Sequence, residues 1–122
     1  MGGVMISIID DDESVRDATE GLLRSLGYGA SAFASVEDFL QSGRVDDTSC
    51  LITDVRMPGM SGVELHSLLI AQGNRTPVIF MTANPEQAIR SVVMRAGAVG
   101  VLSKPFKEQN LIDCLNTALN DG

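Results

Sequence analysis

Short apolar runs alternate along the whole chain with stretches of helical periodicity. The runs at 4–9, 30–33, 50–54, 77–81 and 99–102 are too short and too continuous for amphipathic helices. They read as strands buried on both faces, the fourth extended by Thr82. Ser14 is expected to start a helix on which Val15, Ala18, Leu22 and Leu26 recur at helical spacing until Gly27 ends the pattern. Ser35, with Asp38 at the capping-box distance, opens a second helix. The stretch 43–49 is polar and turn-prone, and 56–62 is too rich in Pro and Gly to be helical. Ser61 can cap a third helix from Val63 to about Ala71. A fourth begins near Pro85, a residue suited to a first turn. It carries Ala88, Ile89, Val92, Val93 and Ala96 inward before Gly97. The last helix, 107–119, turns Leu111, Ile112, Leu115, Ala118 and Leu119 inward.

Strands separated by helices cannot form hairpins, so the sheet is expected to be parallel with right-handed crossovers. Five such units predict an α/β fold: a five-stranded doubly wound sheet in the flavodoxin-like order 2-1-3-4-5, with five helices. With 122 residues and no linker or repeat, residues 1–122 read as a single domain.

The chemistry sits where the apolar runs stop. Asp10 and Asp11 follow the first, Asp54 ends the third and Lys104 follows the fifth. The carboxyl ends of parallel strands form the ligand crevice of an open α/β sheet, at the point where strand order reverses. Asp10, Asp11 and Asp54 would converge there, Asp11 and Asp54 as hard oxygen ligands and Asp10 acting directly or through water. Such a set suits Mg²⁺, which takes one or two carboxylates, waters and a phosphate at about 2.0–2.1 Å. Asp54 could then attack a phosphoryl donor and form an acyl phosphate. Lys104 would pair with the phosphoryl oxygens from the opposite side. Thr82 is placed to hydrogen-bond one of those oxygens, and the small Ala83 leaves room beside it. Backbone N–H groups of Ala83 and Arg56 are further candidate donors.

Charge and composition narrow the options. A net charge of −7 with scattered arginines argues against direct nucleic-acid binding. The apolar stretches are too short to cross a bilayer and no signal peptide is visible, so cytoplasmic residence with no membrane contact is expected. Cys50 and Cys114 fall in apolar surroundings and read as small core residues rather than zinc ligands. Asp12 and Glu13 read as solvated residues favouring the first helix by its dipole. His66 reads as a surface residue, and Met57 and Met60 as loop packing around Pro58.

The acidic pair Asp10-Asp11, Asp54 in the string from Leu51 to Gly62, Thr82-Ala83 and Lys104-Pro105-Phe106 occur in order at the expected strand ends. Together they resemble the receiver domain of two-component response regulators, in the CheY-like superfamily, from Ile6 to about Leu119. The segments Arg56 to Leu65 and Met94 to Ala98 are similar to the FixJ-type branch. The resemblance implies phosphorylation of Asp54 and Mg²⁺ held by Asp10, Asp11, Asp54 and the Arg56 carbonyl. It implies that Lys104 and Thr82 contact the phosphoryl group, and that the Lys104–Pro105 peptide is cis. Its implied partners are a sensor histidine kinase or phosphotransfer protein, a second copy on phosphorylation, and an output domain absent from this chain. Its chemistry is limited to self-phosphorylation and self-dephosphorylation, so the chain is not expected to be an enzyme acting on other substrates.

One departure stands out. Receivers usually carry Tyr or Phe three residues before the lysine, where this chain has Val101. Valine is short and stiff at χ1, so an aromatic relay from Thr82 is not available here. Two alternatives follow: a phosphorylation-independent interaction module on the same fold, and an aspartate-nucleophile phosphohydrolase. The second usually needs an acidic residue two positions after the nucleophile, where Arg56 stands.

Overall fold

The computed structural model describes residues 3–83 and 87–120. Its elements alternate: β1 (Met5–Ile9), α1 (Glu13–Ser25), β2 (Gly29–Phe33), α2 (Val36–Gln41), β3 (Cys50–Asp54), α3 (Gly62–Ala71), β4 (Val78–Thr82), α4 (Gln87–Arg95), β5 (Gly100–Ser103) and α5 (Glu108–Asn120). All strand pairs are parallel, and the five strands lie in the order β2-β1-β3-β4-β5. This is the expected α/β sheet, with its reversal between β1 and β3.

Side-chain alternation along the strands divides the core into two layers. Ile6, Ile8, Cys50, Ile52, Ile79, Met81 and Leu102 point to the side covered by Leu23 of α1 and Leu111, Leu115 and Ala118 of α5. Ile9, Leu51, Val78, Phe80 and Val101 point to the side covered by Phe39 of α2, Leu65 and Leu69 of α3, and Val93 of α4. Each large side chain buried in this way, such as Ile8 or Phe80, contributes about 1.5–3 kcal/mol. Cys50 belongs to this core, and burial, reinforced by the nearby Cys114 thiol, pushes its own thiol up to about 12. It is therefore chemically inert at neutral pH.

Several expectations are corrected. The N-cap of α1 is Asp12, whose carboxylate accepts the Ser14 N–H at 2.9 Å and the Val15 N–H at 3.2 Å. Aspartate satisfies the free amides of a first turn as well as serine does. The buried face of α1 runs through Thr19 and Leu23, while Ala18 is exposed. Thr19 fits there because its hydroxyl donates to the Val15 carbonyl at 2.7 Å. On α4, Val93 is buried and Ile89 partly so, whereas Val92 and Met94 are 58% and 43% exposed and Ala88 and Ala96 face solvent. The expected start of this helix near Pro85 lies outside the described residues.

His66 is a buried residue, not a surface one. Its ring meets Phe80 edge-on with centroids 5.6 Å apart, on the face of α3 that also buries Leu65 and Leu69. Burial lowers its pKa. Met57 and Met60 pack partly buried against the second layer of the core, while Pro58, the expected centre of their packing, is exposed.

Candidate functional site

Strand register brings the candidate residues level with one another. Ile9 lies opposite Thr53, so the next residues, Asp10 and Asp54, stand side by side at the carboxyl edge of the sheet. Across β4, Thr82 pairs with Ser103, and Lys104 follows directly. The Lys104 N–H donates to the Thr82 carbonyl at 2.8 Å, and the Lys104–Pro105 peptide is cis. The lysine side chain then crosses over the ends of β4 and β3.

Its ammonium joins the two carboxylates. Lys104 Nζ donates to Asp54 Oδ2 at 2.5 Å and lies 2.7 Å from Asp10 Oδ2. The second contact is off the hydrogen-bonding directions, so Asp10 Oδ2 is paired by charge while accepting no hydrogen bond. Asp10 is fully buried; its Oδ1 accepts the Asp12 N–H at 2.9 Å, and its carbonyl accepts from Arg16 Nη1 at 2.8 Å. Burial disfavours the Lys104 ammonium, but its close contacts with the Asp10 and Asp54 carboxylates outweigh it and raise its pKa. The amine is therefore a fixed positive charge across the physiological range.

Asp10, Asp11 and Asp54 place carboxylate oxygens within 4.8 Å of one another. Three carboxylates against one ammonium leave an excess of two negative charges. With a buried Asp10 oxygen that accepts no hydrogen bond and an all-oxygen donor set, these residues fit a hard divalent cation. An all-oxygen donor set suits a hard cation rather than a soft metal, for which cysteine or histidine would be expected.

The remaining candidates line the same edge. Thr82 is buried at the end of β4, and Ala83 beyond it is exposed. Asn84 and Pro85 lie outside the described residues. The side chain of Arg56 is exposed, and its backbone N–H donates to Asp54 Oδ1 at 3.2 Å, orienting the carboxylate. Val101 sits beneath this edge, buried against the α3 and α4 side of the sheet. Composition did not single out Arg16 or Gly62, both of which hold the site. Arg16 ties α1 to the Asp10 backbone, and buried Gly62 lets α3 start directly against the Asp54 carbonyl.

The pattern of known proteins agrees with this geometry. The family model described as response regulator receiver domain matches residues 6–116. The chain belongs to the response regulator receiver domain family. Nodulation protein W of Bradyrhizobium diazoefficiens is 39% identical over 114 residues, covering 93% of this chain and 50% of that protein. Transcriptional regulatory protein FixJ of Azorhizobium caulinodans is 38% identical over 114 residues, covering 93% of this chain and 54% of that protein. This receiver domain thus spans about half the length of the curated relatives it matches. Among solved structures, FixJ-N superposes with a TM-score of 0.86 at 33% identity, covering 98% of this chain and 96% of that one. The response regulator StyR superposes with a TM-score of 0.88 at 39% identity, covering 98% of this chain and 60% of that one. The FixJ-type resemblance is therefore shown at the level of whole-domain sequence and fold.

Proposed function

We propose that residues 1–122 act as one phosphorylation switch, with Asp54 as the phosphoacceptor, Lys104 and Thr82 as phosphoryl contacts, and Mg²⁺ as the cofactor. The observation that carries this reading is the single ammonium of Lys104 held between Asp54 at 2.5 Å and Asp10 at 2.7 Å. Asp10, Asp11, Asp54 and the Arg56 carbonyl would hold the ion. When bound, Mg²⁺ supplies charge neutralisation for the transferring phosphoryl oxygens.

The chain's own residues perform the rest. A carboxylate oxygen of Asp54 attacks the phosphorus of a phosphohistidine, forming an O–P bond as the N–P bond breaks, and the departing imidazole keeps the bonding pair. The Arg56 N–H keeps the carboxylate oriented for that attack. Lys104 needs little movement: the ammonium that neutralises the carboxylate passes to a phosphoryl oxygen once Asp54 becomes an acyl phosphate. Thr82 and the Ala83 N–H receive the remaining oxygens. Hydrolysis reverses the modification when water attacks phosphorus and restores the carboxylate.

The donor in this reading is a sensor histidine kinase or phosphotransfer protein, and the domain works in the cytoplasm. Among the described residues, no helix is long and apolar enough to cross a membrane. The output face is α4, β5 and α5, where Val92 and Met94 stand exposed, available to a second copy or an effector domain. Because Val101 replaces the usual aromatic, the signal travels through repacking at Val101 and α4 rather than through a swinging ring. An amide NMR titration with Mg²⁺ and beryllofluoride tests this. Shifts at Asp54, Thr82, Lys104 and the α4 face are expected; a spectrum that stays unchanged would refute the assignment.

A further inference from the structure

The loop between β3 and α3 forms one wall of the site, and three of its backbone donors are met by carboxylates. Arg56 N–H donates to Asp54 Oδ1 at 3.2 Å, Met60 N–H to Glu37 Oε2 at 3.0 Å, and Ser61 N–H to Glu64 Oε1 at 3.0 Å. Asp54 and Glu64 flank the loop in sequence, and Ser61 with Glu64 forms a reciprocal capping box at the start of α3. Glu37 comes from a different element, 23 residues away on α2. It ties the crown of the loop to the rest of the domain.

The loop is shaped to receive this carboxylate. Gly59 adopts φ +79°, and a Cβ there would approach Glu37 Oε2 to 2.9 Å. Glycine thus supplies both the left-handed turn and the clearance. The Met60 N–H holds the exposed Glu37 carboxyl below its ordinary pKa, the sign of a hydrogen bond made preferentially to the charged form.

We propose that Glu37 is a positioning residue for the site: by accepting the Met60 N–H it fixes the loop that presents the Arg56 backbone beside Asp54, and so sets the affinity for Mg²⁺. This rests on the metal assignment made above. Glu37 touches neither ion nor phosphoryl group and acts through the loop. A loop released from α2 samples positions in which the Arg56 carbonyl and the Asp54 carboxylate are no longer held in register, and the ion loses a preorganised site.

The test is a Mg²⁺ titration followed by amide NMR on wild type, Glu37→Ala, Glu37→Gln and Asp38→Ala. Glu37→Ala is expected to raise the apparent Kd about tenfold, the low end for partners of metal ligands, and to shift the Met60 and Arg56 amides before any metal is added. Glu37→Gln keeps a carbonyl oxygen at the same place and is expected to restore most of the affinity. Asp38→Ala removes the same charge from the next position of α2 and should leave the affinity unchanged. The inference is overturned if Glu37→Ala binds like wild type, if Glu37→Gln is as weak as Glu37→Ala, or if Asp38→Ala weakens binding equally. Wild type that fails to bind Mg²⁺ sinks the metal assignment itself and takes this inference with it.

Discussion

Substituting Gly62 by alanine places a methyl group where the backbone of β3 already stands. A Cβ at this buried first residue of α3 would overlap the carbonyl oxygen of Asp54 and reach Thr53 Oγ1 at 2.9 Å and Cγ2 at 3.0 Å. Two effects compete. Alanine is the better helix former by about 1 kcal/mol. Overpacking a close contact costs about 1–3 kcal/mol, and the upper end applies because the obstacle is strand backbone rather than a flexible side chain. The net loss is therefore about 2 kcal/mol, or about 8 °C in Tm for a domain of this size. Gly21 provides the opposite sign: it is exposed on α1 with nothing within 4 Å of its would-be Cβ, so Gly21→Ala should gain about 0.5–1 kcal/mol. Urea and thermal unfolding of the two variants, read by far-UV circular dichroism, separate the effects. A Gly62→Ala variant as stable as wild type would refute the close approach of α3 to the Asp54 carbonyl.

Three further outcomes follow from the same geometry. Lys104→Met leaves Asp10 and Asp54 facing each other without their shared cation, so unfolding in metal-free buffer should show a loss of about 3–5 kcal/mol that shrinks when Mg²⁺ is added; equal losses with and without the ion would contradict the charge argument. Mg²⁺ at 100 times its Kd should stabilise wild type by about 2.7 kcal/mol, and Asp10→Asn should remove most of that gain; full stabilisation of the variant would exclude Asp10 from the ion's site. Burial lowers the pKa of His66, so its contribution is intact above the unfolded value near 6.5 and falls as pH drops toward the folded value; denaturation midpoints from pH 7.5 to 5 should show this slope in wild type and a shallower one in His66→Leu, and identical slopes would place the titration elsewhere.

The sheet was legible because its strands are continuous apolar runs, and parallel order follows once helices separate them. The site was legible for a related reason. Charged residues directly after buried strands, as at Asp10, Asp54 and Lys104, have few places to go except the carboxyl edge. Helix faces were less so. Thr19 and Leu23 define the buried stripe of α1, but a pattern restricted to apolar letters picks Ala18 and passes over Thr19, whose hydroxyl is satisfied by its own helix. His66 was misjudged because a lone polar letter among leucines gives no hint of an edge-on ring partner on β4. Glu37 and Gly62 act through contacts with backbone atoms distant in sequence or across an element boundary, and backbone atoms leave no trace in residue type.

Phosphoryl incorporation at Asp54 tests the central claim most directly. Wild type and Asp54→Asn would be incubated with acetyl phosphate in Mg²⁺ and in excess EDTA, and the intact mass read under mildly acidic conditions. The expected result is one added phosphoryl group on wild type with Mg²⁺, and none with EDTA or on Asp54→Asn. Incorporation that persists in Asp54→Asn, or that ignores removal of the metal, would contradict it.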